Sequence, residues 1–139
     1  MGRFILDTNA LISIIEKKNP KILKHLNEAV LRQDEISTTI LNYYELLRGA
    51  SATTNAKYGV DLKKYLNEGI TVISKISQRD AQSAAGIYQK IRKKINEKKT
   101  TPSDVDIIMA AIALSMDATI VSHDDDFHLM GVKVQNWES

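Results

Sequence analysis

The stretch Arg3-Phe4-Ile5-Leu6-Asp7-Thr8-Asn9 decides how this chain is read. Phe4, Ile5 and Leu6 form a short apolar run, as expected of a strand covered on both faces of a parallel sheet. The run stops at an acid, a hydroxyl and an amide. Ala10, Leu11, Ile12, Ile14 and Ile15 then take up helical spacing. In an open parallel sheet, ligands sit beyond the carboxyl ends of the strands, near the point where strand order reverses. Asp7 occupies such an end. An acid there is more often a helix cap than a catalyst, so its meaning depends on where the other acids fall.

Working outward, a second helix opens at Pro20, a favoured first position, and Ile22, Leu23, Leu26, Ala29 and Val30 keep its period to about Arg32. Glu35 to Ile40 is rich in β-branched residues and reads as a strand. A helix from Leu41 to Arg48 follows, with Gly49 as its C-cap and Leu46 and Leu47 packed inward. Ala50 to Lys57 is small and polar, hence a loop. Tyr58 to Asn67 is helical again, with Tyr58, Leu62, Tyr65 and Leu66 on its apolar side. Ile70 to Ser74 is a third strand. Ser77 caps a long helix whose apolar stripe runs from Ala81 to Ile95. The end of that helix is basic, with Lys90, Arg92, Lys93, Lys94, Lys98 and Lys99. Those cations suit the helix dipole and equally suit contacts to phosphates.

Pro102 breaks the chain before Asp104 to Leu114, a segment apolar on nearly every side and therefore a buried helix. Ser103 or Asp104 can cap it. Capping accounts for one of Asp104 and Asp106, but less easily for a second acid on so buried a helix. Thr119 to Ser122 is a fourth strand, ending in His123-Asp124-Asp125-Asp126. Val132 to Val134 is a fifth, and Trp137 folds back onto the surface. Strands and helices alternate, which predicts an α/β fold: a three-layer α/β/α sandwich with a mainly parallel, five-stranded sheet in one domain, residues 1–139.

Composition sets the outer bounds. The 139 residues are 43% hydrophobic and 26% charged, ordinary for a globular chain with one core. No cysteine is present, so a disulfide framework and a thiolate metal site are both excluded. The first strand begins at once, leaving no room for a signal peptide, and no apolar run approaches the roughly 18 residues that span a bilayer. The expectation is a soluble cytoplasmic protein with no membrane role. The net charge of +2 conceals an asymmetry. With four of the 17 acids gathered into a site, 13 remain against 19 basic residues. An acidic pocket in a basic surround suits an enzyme acting on a polyanion.

Four acids recur at one structural address. Asp7 and Asp124 follow strand ends, Asp106 opens the buried helix, and Glu45 lies on a helix that can lean over the sheet's carboxyl edge. Carboxylates brought together without counter-charge raise one another's pKa, and a hard divalent cation relieves this. An all-oxygen donor set points to Mg²⁺ or Mn²⁺ rather than zinc.

Four segments then carry a resemblance across nearly the whole chain: Asp7-Thr8-Asn9 after an apolar strand; Thr39 to Gly49 with Glu45-Leu46-Leu47-Arg48-Gly49; Pro102 to Leu114 with Asp106 before Met109-Ala110-Ala111; and Val121-Ser122-His123-Asp124 running to Asp126-Phe127. In this order they resemble PIN-domain ribonucleases, most of all the VapC toxins of VapBC toxin–antitoxin pairs. The resemblance implies a Mg²⁺- or Mn²⁺-dependent endoribonuclease that cleaves RNA with a metal-activated water. It implies that Asp7, Glu45, Asp106 and Asp124 form the catalytic and metal-binding cluster, with Thr8 and Ser122 as polar support. It also implies a homodimer and a cognate antitoxin, with Ile12, Ile15, Leu23, Tyr43, Tyr44 and Leu47 as candidate contact surfaces. Asp104 competes with Asp106 for the third position, and Asp126 is the alternative to Asp124.

Other readings stay open at this level. A same-fold nuclease with a housekeeping task in RNA processing, such as ribosomal RNA maturation, differs in lacking an upstream antitoxin reading frame. A phosphatase of the haloacid dehalogenase type wants a second Asp two positions after the first, where this chain has Asn9. A non-catalytic binder of polyanions has no use for four gathered acids.

Overall fold

The computed structural model describes residues 2–51, 64, 69–95 and 101–139. In chain order the elements are β1 (Arg3–Leu6), α1 (Thr8–Glu16), α2 (Pro20–Leu31), β2 (Glu35–Thr39), α3 (Ile40–Ser51), β3 (Ile70–Ile73), α4 (Gln78–Lys94), α5 (Asp104–Met116), β4 (Thr119–Val121), a 3-10 turn (Asp125–Met130) and β5 (Lys133–Gln135). Helix α3 runs on through Ala50 and Ser51, where the sequence predicts that the loop from Ala50 to Lys57 begins; the rest of that loop, the helix expected from Tyr58 to Asn67 apart from Lys64, and Lys98 and Lys99 lie outside the described residues. Among the described residues, no helix is long and apolar enough to cross a membrane.

All five strands are parallel, in the order β3-β2-β1-β4-β5. The chain grows outward from β1 to β2 and β3, then returns to the other side of β1 for β4 and β5. The reversal falls between β1 and β4, and there the carboxyl ends of two neighbouring strands open a crevice.

Alternation along β1 assigns the layers. Phe4 and Leu6 join a cluster with Leu11, Ile14, Ile22 and Leu46 from α1, α2 and α3. Ile5 faces the opposite way, onto Ile87, Ile91, Met109, Ile112 and Phe127 from α4, α5 and the 3-10 turn. A strand covered on both faces favours apolar residues, as Phe4-Ile5-Leu6 shows, while the buried Ser37 and Thr38 of β2 are tolerated because their hydroxyls donate to the Phe4 and Leu6 carbonyls. Ala110, Ala111 and Ala113 are fully buried and let α5 approach the sheet closely. Ser77 and Asp80 form a reciprocal capping box on α4, and Ser103 caps α5.

Several local expectations yield to packing. Ile40 begins α3 instead of ending β2. Gly49 lies inside α3, where a Cβ would meet nothing within 4 Å, so it does not end the helix. Leu46 is buried, but Leu47 is 43% exposed. Trp137 is only 2% exposed. Its ring meets Phe4 edge-on at 5.1 Å, stacks on His25 at 5.7 Å, and donates its N–H to Gln135 at 2.9 Å. The core takes Trp137 because its one polar atom has a partner there. Of the six proposed contact residues, Ile15 is core, Ile12, Leu23 and Tyr43 pack against it, and only Tyr44 and Leu47 are exposed.

Candidate functional site

Asp7 ends β1 and caps α1, its carboxylate accepting the Ala10 N–H at 2.7 Å. The Asp7 backbone N–H donates to Val121 O at 3.2 Å, so the pairing of β1 with β4 extends to the acid itself. Asp7 is 5% exposed. Burial pushes its carboxyl above the ordinary range, against the opposing hydrogen bonds from Ser122 and Ala10. Helix capping and site building therefore use the same side chain. The capping bond explains why Asp7 can be buried; it does not explain why its pKa stays raised.

Ser122 joins the two strand ends. Its hydroxyl holds Asp7 and also accepts the Asp124 N–H at 2.9 Å. Asp124 then caps the 3-10 turn by accepting the Asp126 N–H at 2.9 Å. These are the local bonds that Asp and Ser make in turns, placed here at the sheet's carboxyl edge.

Glu45 reaches the same edge from α3. Its carboxylate accepts from the Thr8 hydroxyl at 2.7 Å, and Thr8 in turn accepts from Asn42 Nδ2 at 3.0 Å. The Thr39 hydroxyl donates to Asn42 Oδ1 at 2.5 Å. Asn42 and Glu45 are three apart and so share one face of α3. A relay Thr39–Asn42–Thr8–Glu45 thus links the end of β2 to the start of α1. Arg48 stands 4.0 Å from Glu45 and lies over the Tyr44 ring at 5.4 Å.

Asp106 sits in the first turn of α5, half-buried, its N–H donating to Ser103 at 3.2 Å. Its carboxyl is pushed up to about 6. Burial is the largest cause, opposed by a hydrogen bond from Ser103 and reinforced by the negative charges of Asp124, Asp7 and Glu45. Three carboxylates far from Asp106 in sequence therefore come close enough for their charges to act on it. Asp104 is exposed and lines a hollow between α4 and α5 with Ala81, Ala85 and Tyr88.

The donor set is oxygen only; burial raises Asp7, and burial together with the neighbouring acids' charge raises Asp106, in the direction a divalent cation would reverse. Among the described residues no group of three or more acidic or imidazole side chains is gathered closely enough to hold a metal ion by itself. Oxygen donors of this kind, one or two carboxylates with waters, are what Mg²⁺ takes.

Residues 4–133 match the family model described as the PIN domain. The chain belongs to the PIN domain family. This PIN domain is 25% identical over 121 residues to Ribonuclease VapC1 of Haemophilus influenzae strain R2866, spanning 87% of this chain and 86% of the relative. Its fold is similar to VapBC2 from Rickettsia felis bound to a DNA fragment from their promoter, with a TM-score of 0.84, 18% identity, and 97% and 98% of the two chains covered. It is also similar to VapBC-1 from nontypeable Haemophilus influenzae, with a TM-score of 0.77, 20% identity, and 99% of each chain covered. At those identities the structural likeness establishes the PIN fold.

Sequence reasoning missed three contributors to the crevice. Asn42 is 1% exposed, and its signal was available: a polar residue three before Glu45 and three after Thr39 on a helix with a buried face. His123 and Glu138 were not flagged, although both charges act on Asp7. Nothing local distinguishes Glu138 from any other acid near a chain end.

Proposed function

We propose that this PIN domain is a metal-dependent endoribonuclease and the toxin member of a toxin–antitoxin pair. One observation carries the reading: the charges of Asp7, Glu45 and Asp124, from three other elements, all act on Asp106. The relative named Ribonuclease VapC1 supports RNA as substrate, and the VapBC neighbours support an antitoxin partner. The metal is Mg²⁺ or Mn²⁺, held by Asp7 and Asp106, with Glu45 and Asp124 completing the site or orienting water. When bound, such an ion lowers the pKa of a water and neutralises charge on a phosphoryl oxygen.

The chain's own residues prepare the site. Ala10 and Ser122 hold Asp7 in position and favour its charged form against burial. Thr8 and Asn42 hold Glu45 against the crevice. Ser103 anchors the turn that presents Asp106. The cations at the end of α4, Lys90, Arg92, Lys93 and Lys94, are exposed and available to an RNA backbone. The rigid sheet edge sets the separations, so substrate meets an arrangement that needs little reorganisation.

The test uses the full chain and a labelled single-stranded RNA. Cleavage in Mg²⁺, its loss in chelator, and its loss in Asp7→Asn with the fold intact are expected. Cleavage that survives chelation, or an Asp7→Asn chain as active as the parent, would refute the reading.

A further inference from the structure

Glu138 makes contacts that the chemistry above does not use. Its Oε1 accepts from the Ser13 hydroxyl on α1. Its Oε2 lies 2.5 Å from Nδ1 of His123, the residue just before Asp124. Its carbonyl accepts from Nδ2 of Asn19, the α2 cap, at 3.1 Å, and its own N–H donates to Asn136 at 2.9 Å. The side chain is only 20% exposed. The neighbouring Trp137, wedged against Phe4 and His25, anchors this segment in the core. A carboxylate with both oxygens engaged by side chains from two separate elements is a built feature.

Its two partners lie on the elements that carry the acids. Ser13 is on the helix that Asp7 caps. His123 stands between Ser122, which holds Asp7, and Asp124. The exit from β4 has no regular hydrogen-bonded structure until the 3-10 turn begins at Asp125. It is held by the Asp124 and Asp126 amides on Ser122 and Asp124 and by Glu138 on His123.

We infer that Glu138 is a positioning residue of the acidic site: by bridging Ser13 and His123 it cross-braces α1 to the β4 exit and fixes the separation of Asp7 and Asp124. It touches neither RNA nor metal and acts through its two partners. The inference rests on the metal-dependent reading above and deepens it.

The test measures Mn²⁺ binding to the full chain by calorimetry, and amide exchange in the metal-free chain. Glu138→Ala is expected to weaken Mn²⁺ binding about tenfold, the lower end of what partners behind metal ligands contribute. It should also speed exchange at the Asp124 and Asp126 amides, which hold this exit together. Ser13→Ala, cutting the other end of the brace, should weaken Mn²⁺ binding in the same direction. Glu138→Gln can keep both bonds, its oxygen accepting from Ser13 and its NH₂ donating to a neutral His123. It should stay close to the parent.

A lower melting temperature in Glu138→Ala with Mn²⁺ affinity and Asp124 exchange unchanged would reduce Glu138 to a purely structural role and overturn the inference. So would a Glu138→Gln as weak as Glu138→Ala, because charge rather than bridging would then be at work. Asp7→Asn separates the two levels. If it loses Mn²⁺ while Glu138→Ala and Ser13→Ala keep it, only the brace is wrong; if it binds like the parent, the metal reading fails and the brace with it. Should Glu138→Ala not fold, Ser13→Ala and Glu138→Gln carry the same comparison.

Discussion

Replacing Asp106 by asparagine should stabilise this protein while abolishing its activity. The carboxyl is raised from 3.8 to about 6. Between those values the folded chain holds a proton that the unfolded chain releases. The contribution to stability is therefore fully present below about pH 4 and is lost as pH rises through about 6. At pH 7.5, without metal, the folded state carries the whole penalty of a charged Asp106. That penalty is roughly 3 kcal/mol at full weight. Asp106 is partly open to water, so screening leaves about 1–2 kcal/mol. Removing its charge from the first turn of α5 forfeits about 0.5 kcal/mol of helix-dipole stabilisation. Asp106→Asn should thus gain about 1 kcal/mol at pH 7.5, a rise of roughly 3–5 °C for a chain of this size. Thermal unfolding in chelator at pH 7.5 and pH 4.5 measures it. The gain should shrink at the lower pH, and added Mg²⁺ should stabilise the parent but not the variant. An Asp106→Asn chain no more stable than the parent at pH 7.5, or a gain independent of pH, would refute the idea that burial and neighbouring negative charge penalise a charged Asp106.

Other substitutions probe the arrangement from different sides. Asp104→Asn should leave RNA cleavage near the parental rate, since Asp104 faces the hollow between α4 and α5; a loss as large as that of Asp106→Asn in the same assay would exchange the two assignments. Thr8→Val strands the buried Asn42 amide and releases Glu45, so urea unfolding should show a loss of about 1–3 kcal/mol and the cleavage rate should fall. Trp137→Ala removes a fully packed ring and should cost about 3–5 kcal/mol, read by the same unfolding experiment; a loss under about 1 kcal/mol would return the ring to the surface.

How the chain divides between legible and hidden features follows from the reach of each interaction. Periodicity and capping act within about one helical turn. The buried strand before Asp7, the cap Ser77, and the all-round apolar helix from Asp104 are such local features, and each was readable. So was the alternation that makes a parallel sheet. The cap of the helix from Asp104 stayed open between Ser103 and Asp104 until the structure gave Ser103. Gly49 shows the limit even there: an interior glycine costs a helix only about 1 kcal/mol, which packing of the same helix through Leu46 can override.

The strand order β3-β2-β1-β4-β5 is a tertiary fact. It alone places β1 beside β4 and lets Ser122 hold both Asp7 and Asp124. Asp104 and Asp106 are chemically alike, and the sequence favours Asp106 only through its spacing to Ala110-Ala111. Two steps along a helix turn one nearly to the opposite side from the other, and the packing of α5 on the sheet then sets which faces the crevice. Trp137 and Glu138 were out of reach for the same reason: their partners, Phe4 and Ser13, lie at the other end of the chain, and no local pattern encodes a contact that folding itself creates.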